Sequence, residues 1–231
     1  MQRDLIEDLD VFERTNDFWT LSRNELLLKY INSSPVMDVG CGSGILTKQL
    51  VGKNMDVYSL DIEERACELT SRFNDRKKIF SKSFEKITSK DLPKLKTIIF
   101  ADVLEHVDTD VEFLIKAHEL LTDDGKIVIS VPCYMFLWTE NDVVRGHKRR
   151  YSKQQLREIL KYAGFKVEKM FFWNLLSVPV ILGAKIFGSR VPHESVSESK
   201  LNNVLSIYFT QIENKIPVPF GSTLVCIARK I

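Results

Sequence analysis

A nine-residue segment, 36–44, constrains the fold more than any other part of the chain. Its sequence, VMDVGCGSG, places an apolar strand directly before a turn with glycine at positions 40, 42 and 44. Glycine tolerates the positive φ angles of such a turn and lets a ligand approach the backbone. The apolar pattern at 45–51 predicts a short helix, so the free amides of the turn lie at a helix N-terminus. A strand, glycine turn and helix in this order indicate a site for a nucleotide-like ligand.

An acidic residue stands where the second half of such a site is expected. The segment 55–60 predicts a second strand, and Asp61 follows it. In βαβ nucleotide folds a carboxylate about 20 residues after the turn accepts hydrogen bonds from ribose hydroxyls. The glycine spacing is Gly-x-Gly-x-Gly rather than the Gly-x-Gly-x-x-Gly of pyrophosphate sites. This spacing favours a ligand without phosphates.

The rest of the chain alternates between strand and helix patterns, which predicts a parallel sheet with helices on both faces. Capping-box spacings at Ser22, Thr109 and Ser152 predict three helix starts. Further helices are predicted at 45–51, 63–73 and 197–215, and strands at 36–39, 55–60, 78–82, 97–101, 126–131, 165–173 and 223–228. One domain is expected over 1–231, with a helical arm or lid at 1–32 and a helical insertion at 174–215.

The turn and two later segments resemble class I S-adenosylmethionine-dependent methyltransferases. The first motif of that family is an Asp-Val-Gly-Cys-Gly-x-Gly turn, here 38–44, and ADVLEHV at 101–107 looks like the family's segment after the fourth strand. The similarity covers roughly residues 33–173. It implies a Rossmann-like, doubly wound α/β fold with a mostly parallel seven-stranded sheet and an antiparallel last strand. It also implies S-adenosylmethionine as the cofactor.

The resemblance assigns cofactor contacts residue by residue. Asp61 is expected at the ribose and His106 at the methionine end. Many relatives carry an aspartate for adenine after the third strand, whereas this chain has Ser83 in that segment. Ser83 or a backbone carbonyl is expected to substitute. The full set of expected cofactor contacts is Asp38, Gly40, Cys41, Gly42, Gly44, Asp61, Ile62, Ser83, Phe84, Ala101, Asp102, Val103 and His106.

The cysteines indicate neither a disulfide framework nor a zinc site, because the four of them are scattered and form no Cys-x-x-Cys pair. No metal is expected, and a reducing cytoplasm is the expected compartment. The thiol of Cys41 has the chemistry of a nucleophile. A small side chain packed under the cofactor is the favoured interpretation of this residue.

A basic segment, RGHKRRY at 145–151, follows the predicted fifth strand and therefore lies at the carboxyl edge of the sheet, where ligands bind. It resembles the Gly-His-x-Arg-Arg-Tyr segment of a subgroup of bacterial and archaeal methyltransferases, several of which look tied to cell-envelope glycan or lipid pathways. Guanidinium groups suit anionic ligands, although a solvated basic loop is equally compatible with the sequence. The expected acceptor contacts are Trp19, Tyr134, Trp138, His147, Arg149, Arg150 and Tyr151.

Two histidines are the candidate catalytic residues. His106 and His147 titrate near neutral pH in their ordinary state and can accept a proton. Methyl transfer from a sulfonium needs a base only when the acceptor must lose a proton, and much of the catalysis comes from positioning. Positioning of the acceptor is therefore the favoured role for His106. Trp19 has two interpretations as well: it covers the cofactor, or it docks the N-terminal arm onto the core.

An apolar stretch at 170–188 approaches the length of a membrane span, but Asn174, Pro179 and Lys185 interrupt it. A strand at 165–173 and a separate helix at 175–187 are expected instead. This helix is expected beside the acceptor site, and contact with a bilayer surface is the alternative.

The expected function is methyl transfer to a small-molecule, glycan or lipid-linked acceptor that carries an anionic group. A net charge of +2 does not favour nucleic acid as a partner. Methylation of nucleic acid or protein is the first alternative. A nicotinamide-dependent oxidoreductase and a cofactor-binding module without catalysis are weaker alternatives. The sequence leaves the oligomeric state open.

Overall fold

The computed structural model describes residues 18–187 and 200–231, and its strands form one seven-stranded sheet. The strands are β1 (Val36–Val39), β2 (Val57–Asp61), β3 (Ile79–Ser81), β4 (Leu95–Ala101), β5 (Leu121–Pro132), β6 (Phe165–Trp173) and β7 (Thr223–Lys230). Their order across the sheet is β3-β2-β1-β4-β5-β7-β6. The first five pair in parallel, and β7 runs antiparallel to both β5 and β6. The predicted α/β class with an antiparallel last strand is confirmed.

Helices cover both faces of the sheet. Eight α-helices lie within the described residues: α1 (Phe18–Leu28), α2 (Ile45–Val51), α3 (Glu64–Thr70), α4 (Asp110–Leu120), α5 (Glu140–Val144), α6 (Lys153–Tyr162), α7 (Ser177–Phe187) and α8 (Lys200–Tyr208). One apolar cluster joins the sheet to α4 and α6, and a second joins its other face to α1 and α2. Every residue of β1 is buried, as expected for a strand covered on both sides.

The start of α1 differs from the prediction at Ser22. Within the described residues the helix begins at Phe18, and Ser22 is buried inside it. Ring contacts explain the earlier start: Phe18 stacks on Phe209 with centroids 5.7 Å apart, and Trp19 contacts Trp173 at 5.9 Å. Packing against the core has therefore overridden the capping signal in the sequence.

The other two capping predictions differ in outcome. Ser152 caps α6 as predicted, because its hydroxyl accepts from the Gln155 amide and the Gln155 side chain accepts from the Ser152 amide. Thr109 precedes α4 as predicted, but its hydroxyl donates to the side chain of Glu112 and bonds no backbone amide of the helix.

Two predicted regions extend beyond the described residues. The predicted arm at 1–32 is described only from Phe18, and residues 1–17 lie outside. Within the predicted insertion at 174–215, residues 188–199 lie outside; the start of the predicted helix 197–215 is among them. The described remainder of that helix comprises α8 and a π-helical turn, Phe209–Glu213. No helix in the described residues is long and apolar enough to cross a membrane.

The approach to β7 generates a stability prediction, because Gly221 lies against the backbone of Trp173. A Cβ at position 221 would lie 2.2 Å from the Trp173 carbonyl oxygen. Gly221→Ala should lower the free energy of unfolding by about 1–3 kcal/mol, because backbone atoms cannot move aside at low cost. Urea denaturation measures this change. Gly183→Ala is the control: a Cβ there meets nothing within 4 Å, and alanine favours the interior of α7. Equal stability of the two variants would contradict the prediction.

Candidate active site

The glycine turn has the backbone geometry that its sequence predicts. Gly40, Gly42 and Gly44 have φ angles of 71°, 53° and 79°. A Cβ at Gly40 would lie 2.7 Å from a methyl carbon of Val103, and one at Gly44 would lie 2.8 Å from the Cα of Thr70. These positions therefore require glycine both for their φ angles and for close packing. The turn lies at the carboxyl end of β1, immediately before α2.

Asp61 is fixed against this turn. Its Oδ2 accepts a hydrogen bond of 2.9 Å from the Gly42 amide, and its Oδ1 accepts one of 3.0 Å from the Glu63 amide. Burial raises the pKa of Asp61, although these bonds oppose the shift. Ile62 follows with 70 % of its surface exposed, which places a large apolar side chain at the rim of the same turn. The carboxylate keeps lone pairs for further donors.

Asp38 and Cys41 lie beneath the turn. Asp38 is 1 % exposed and accepts a hydrogen bond of 2.8 Å from the Thr47 hydroxyl. Burial raises the pKa of Asp38 to about 6. A hydrogen bond with Cys67 and burial hold the pKa of the Cys41 thiol well above its usual value. A thiol in this state is a poor nucleophile, which supports the packing interpretation of Cys41.

The segment after β3 places its two predicted cofactor residues differently. Phe84 is 1 % exposed and packs against Phe100 and Phe113, with ring centroids 5.5 and 5.1 Å away. Its side chain therefore belongs to the core, which disagrees with a side-chain contact to a cofactor. Ser83 stays half-buried at the carboxyl side of β3.

Sequence reasoning missed Arg23. Its guanidinium pairs with Asp102, directly after β4, and lies 4.8 Å from the ring centroid of Trp19. Asp102 has a φ of 58° and also accepts 3.0 Å from the Ser130 hydroxyl. The available signal was the four-residue spacing of Trp19 and Arg23 on one helix face. Because Trp19 packs on Trp173, the structure favours docking of α1 over the role of a cofactor cover.

The two candidate catalytic histidines lie together. The rings of His106 and His147 meet edge to face with centroids 4.8 Å apart, and Nδ1 of His147 donates 2.8 Å to Asp142. The Lys148 amide donates 2.7 Å to the Glu105 carbonyl and so joins the two loops that carry them. Crowding by protein atoms and the neighbouring His147 lower the pKa of His106 to about 4, although part of its ring reaches the surface.

The basic segment is internally paired, which corrects the prediction for Arg150 and Tyr151. Arg150 donates 2.8 Å from Nε and 2.9 Å from Nη2 to the two oxygens of Asp142, and both side chains are buried. Tyr151 is 3 % exposed, and its hydroxyl lies 2.8 Å from Asp110 and 3.0 Å from the Leu104 carbonyl. Both buried side chains therefore stabilise the two loops, and their polar atoms contact protein groups rather than an acceptor.

Arg149 and Lys148 are paired as well. Arg149 lies 3.0 Å from a carboxylate oxygen of Asp110 and donates 2.8 Å to the Asp108 carbonyl. Lys148 pairs with the side chain of Asp108. The expected anion site at 149–150 is thus neutralised. Most of the partner carboxylates come from the segment after β4, more than thirty residues away.

An aromatic wall is formed by Tyr134, Phe136, Phe172 and Phe220. The Tyr134 amide donates 2.9 Å to the carbonyl of Tyr151, which ends the segment that carries His147. Tyr134 and Phe136 stack on Phe220 with centroids 5.0 and 6.1 Å apart, and Phe172 lies 5.6 Å from Tyr134. Phe136 is 52 % exposed. Lys185 of α7 donates 2.6 Å to the Phe136 carbonyl, which attaches that helix to the wall. Trp138 follows the wall segment and is half-buried.

The glycine turn, the acidic residue that ends β2 and the histidine pair thus lie at one edge of a Rossmann-like sheet. A family model described as a methyltransferase domain matches residues 11–170. The chain therefore belongs to this family of methyltransferase domains.

Three known proteins show the range of the similarity. A ubiquinone biosynthesis O-methyltransferase from Glaesserella parasuis is 29% identical over 123 residues, which are 46% of this chain and 52% of that protein. The match thus spans about half of that relative. A SAM-dependent methyltransferase from Archaeoglobus fulgidus is 20% identical, with a TM-score of 0.63 over 95% of this chain and 97% of that one. A 1,6-didemethyltoxoflavin-N1-methyltransferase from Burkholderia thailandensis, solved with S-adenosylhomocysteine, is 17% identical, with a TM-score of 0.57 over 97% and 85%.

Asp61→Asn tests the cofactor side of the site. The amide removes the negative charge and one acceptor, so the affinity for S-adenosylhomocysteine should fall at least tenfold, as expected when charge-assisted hydrogen bonds worth about 1.5–3 kcal/mol are lost. Titration calorimetry measures the affinity. Asp56→Asn is the matched control, because Asp56 precedes β2 at its opposite end and pairs with Lys78. The same affinity in the Asp61 variant and the wild type would refute the assignment.

Arg150→Met tests the structural role of the basic segment. It leaves the buried carboxylate of Asp142 without its bidentate partner, so the free energy of unfolding should fall by about 3–5 kcal/mol. Arg149→Met removes a more exposed pair and should cost about 1 kcal/mol or less. Chemical denaturation compares the two variants. A small loss in the Arg150 variant, no larger than in the Arg149 variant, would return Arg150 to the list of acceptor contacts.

Proposed function

We propose that this chain uses S-adenosylmethionine to methylate an oxygen atom of a small-molecule or lipid-linked acceptor with an apolar part. The observation that carries the proposal is the aromatic wall, with Phe136 52 % exposed, which joins the end of the segment that carries His147. Ligand sites are lined mostly by apolar and aromatic side chains with a few polar groups that fix orientation. This arrangement supplies both components at the edge of the sheet where ligands of parallel sheets bind.

The cofactor is assigned to the glycine turn and the strand ends next to it. We assign Asp61 to the ribose hydroxyls, exposed Ile62 to a face of the adenine, and Ser83 or a nearby carbonyl to its amino group. Ala101, Asp102 and Val103 would line the methionine end. We add Arg23 there as a positioning residue, because its ion pair with Asp102 fixes the start of this loop.

The acceptor oxygen is assigned to the space at the histidine pair. Methyl transfer is an in-line displacement: the C–S bond breaks as the C–O bond forms, and the sulfonium becomes a neutral thioether. Holding the oxygen in line accounts for much of the acceleration. His106 and His147 come from separate loops and their rings are in contact, so they can hold one oxygen from two sides.

The apolar part of the acceptor is assigned to the aromatic wall and α7. Val178 and Ile181 of this helix pack with Leu137 against Tyr134 and Phe220. On the same helix Val180, Leu182 and Ile186 are 52 %, 38 % and 77 % exposed, so apolar side chains remain accessible there. The O-methyltransferase named among the relatives supports oxygen as the acceptor atom. An anionic acceptor group has lost its main support, because Arg149 and Arg150 are bound to carboxylates.

A pair of matched acceptors tests this proposal. A decyl-substituted dihydroxybenzene should be methylated with a kcat/KM about tenfold or more above that of the unsubstituted compound, because burial of the chain stabilises the complex. Release of S-adenosylhomocysteine measures the rate. Equal rates for the two compounds, or transfer to neither, would contradict the proposed acceptor class.

Phe136→Ser locates the acceptor on the wall. It should raise the KM for the decyl compound about tenfold, the effect of losing part of the 1.5–3 kcal/mol of a buried phenylalanine, and leave the affinity for S-adenosylhomocysteine unchanged. Tyr162→Ser is the control, since Tyr162 is 78 % exposed on α6. If both variants behave like the wild type, the wall does not bind the acceptor.

A further inference from the structure

We propose that Glu105, His106 and His147 form a binding site for a divalent transition-metal ion of the Zn²⁺ type. The binding itself does not depend on the acceptor class proposed above. The role that we assign to the ion does rest on that proposed function. The cysteines of the sequence predict no metal site, and the site proposed here uses none of them.

Glu105 has no hydrogen-bond partner that explains its position. Its side chain is 0 % exposed, and neither carboxylate oxygen has a partner among the described residues. A buried carboxylate without a partner is strongly destabilising, and such a group in a native protein calls for an explanation. The charges around it are those of Asp102, Arg23 and Arg150, and two of these already have carboxylate partners. A bound cation supplies the missing partner.

The two imidazoles converge on this carboxylate. One ligand atom from each of Glu105, His106 and His147 lies within 4.8 Å of the other two. Ligand atoms at about 2.0–2.2 Å from one tetrahedral Zn²⁺ lie about 3.4 Å apart. The three groups therefore need to approach one another by about 1.4 Å at most, a distance that side-chain rotation can supply. Glu105 and His106 follow β4, whereas His147 follows β5, and the Lys148 amide joins the two loops.

His147 is oriented as metal-binding histidines are. Asp142 accepts only when ionised, so the 2.8 Å contact places a proton on Nδ1 of His147 and leaves Nε2 free to ligate. Histidines that bind a metal through one ring nitrogen commonly donate the other ring N–H to a carboxylate, which fixes the ring. Asp142 is itself held by the bidentate contact with Arg150. Asp142 and Arg150 therefore hold the ring of His147 in a fixed orientation.

The donor set selects the kind of ion. Two imidazoles and one carboxylate suit Zn²⁺ and its first-row neighbours better than Mg²⁺ or Ca²⁺, which prefer oxygen ligands. Three protein ligands leave a position open, as in catalytic rather than structural sites. The acceptor hydroxyl would take this position. Coordination lowers the pKa of a bound hydroxyl, so its proton leaves to solvent and the oxygen then attacks the methyl carbon.

Thermal unfolding of the full chain with added Zn²⁺ tests the binding. A ligand that binds only the native state raises its Tm, so Zn²⁺ should raise the Tm of the wild type. Glu105→Gln keeps the shape of the side chain and removes its charge. This variant should fold but bind Zn²⁺ at least tenfold more weakly and show little rise in Tm. His118→Gln is the matched control, because His118 lies at the Ile231 carbonyl, away from the site, and should respond like the wild type.

The metal site and the proposed acceptor class can fail independently of each other. No rise in the wild-type Tm, or the same rise in the Glu105 variant, overturns the metal site. Co²⁺ in place of Zn²⁺ should give visible bands without thiolate charge transfer; thiolate bands would place the ion at cysteines and also overturn it. Binding of S-adenosylhomocysteine, measured without metal for the wild type and both variants, checks that each protein is folded. Zn²⁺ binding without methylation of the decyl compound would contradict only the proposed acceptor.

Discussion

The acceptor side of the site depends on one buried ion pair, between Asp142 and Arg150. The same carboxylate accepts from the Thr139 amide at the start of α5 and from His147, and Arg150 also donates 3.3 Å to the Cys133 carbonyl at the end of β5. Burial alone would raise the pKa of Asp142, but the bonds from His147 and Arg150 hold it well below its usual range. One carboxylate with a lowered pKa thus joins the start of α5, His147 and, through Arg150, the residue after β5.

The cofactor side is stabilised in a different way. There the backbone itself forms the contacts: Asp61 bonds two main-chain amides, and the glycines of the turn let Val103 and Thr70 pack closely. Such a site depends on φ angles and on the absence of side chains rather than on charge pairs.

The parts of the structure that the sequence predicts are those with local causes. Strand β6 matches its predicted bounds, and α6 begins at its predicted cap, because apolar periodicity and capping act over a few residues. The glycine turn and Asp61 could be placed because a single βα unit joins them. The Arg23 to Asp102 pair spans 79 residues. No local pattern contains that information, and the start of α1 was missed for the same reason.

Charge shows the limit of sequence reasoning most clearly. The segment 145–166 has eight basic residues and one acidic residue, which indicates an anion site when the segment is considered alone. Folding brings Asp108 and Asp110 from the loop after β4 to Lys148 and Arg149, and each basic side chain pairs with one of these carboxylates. The same folding buries Glu105 beside two histidines and leaves its charge without a partner. Burial and the neighbouring Asp102 raise the pKa of Glu105 well above its usual value, so a cation bound at the proposed site would have to displace its proton as well as supply the missing partner.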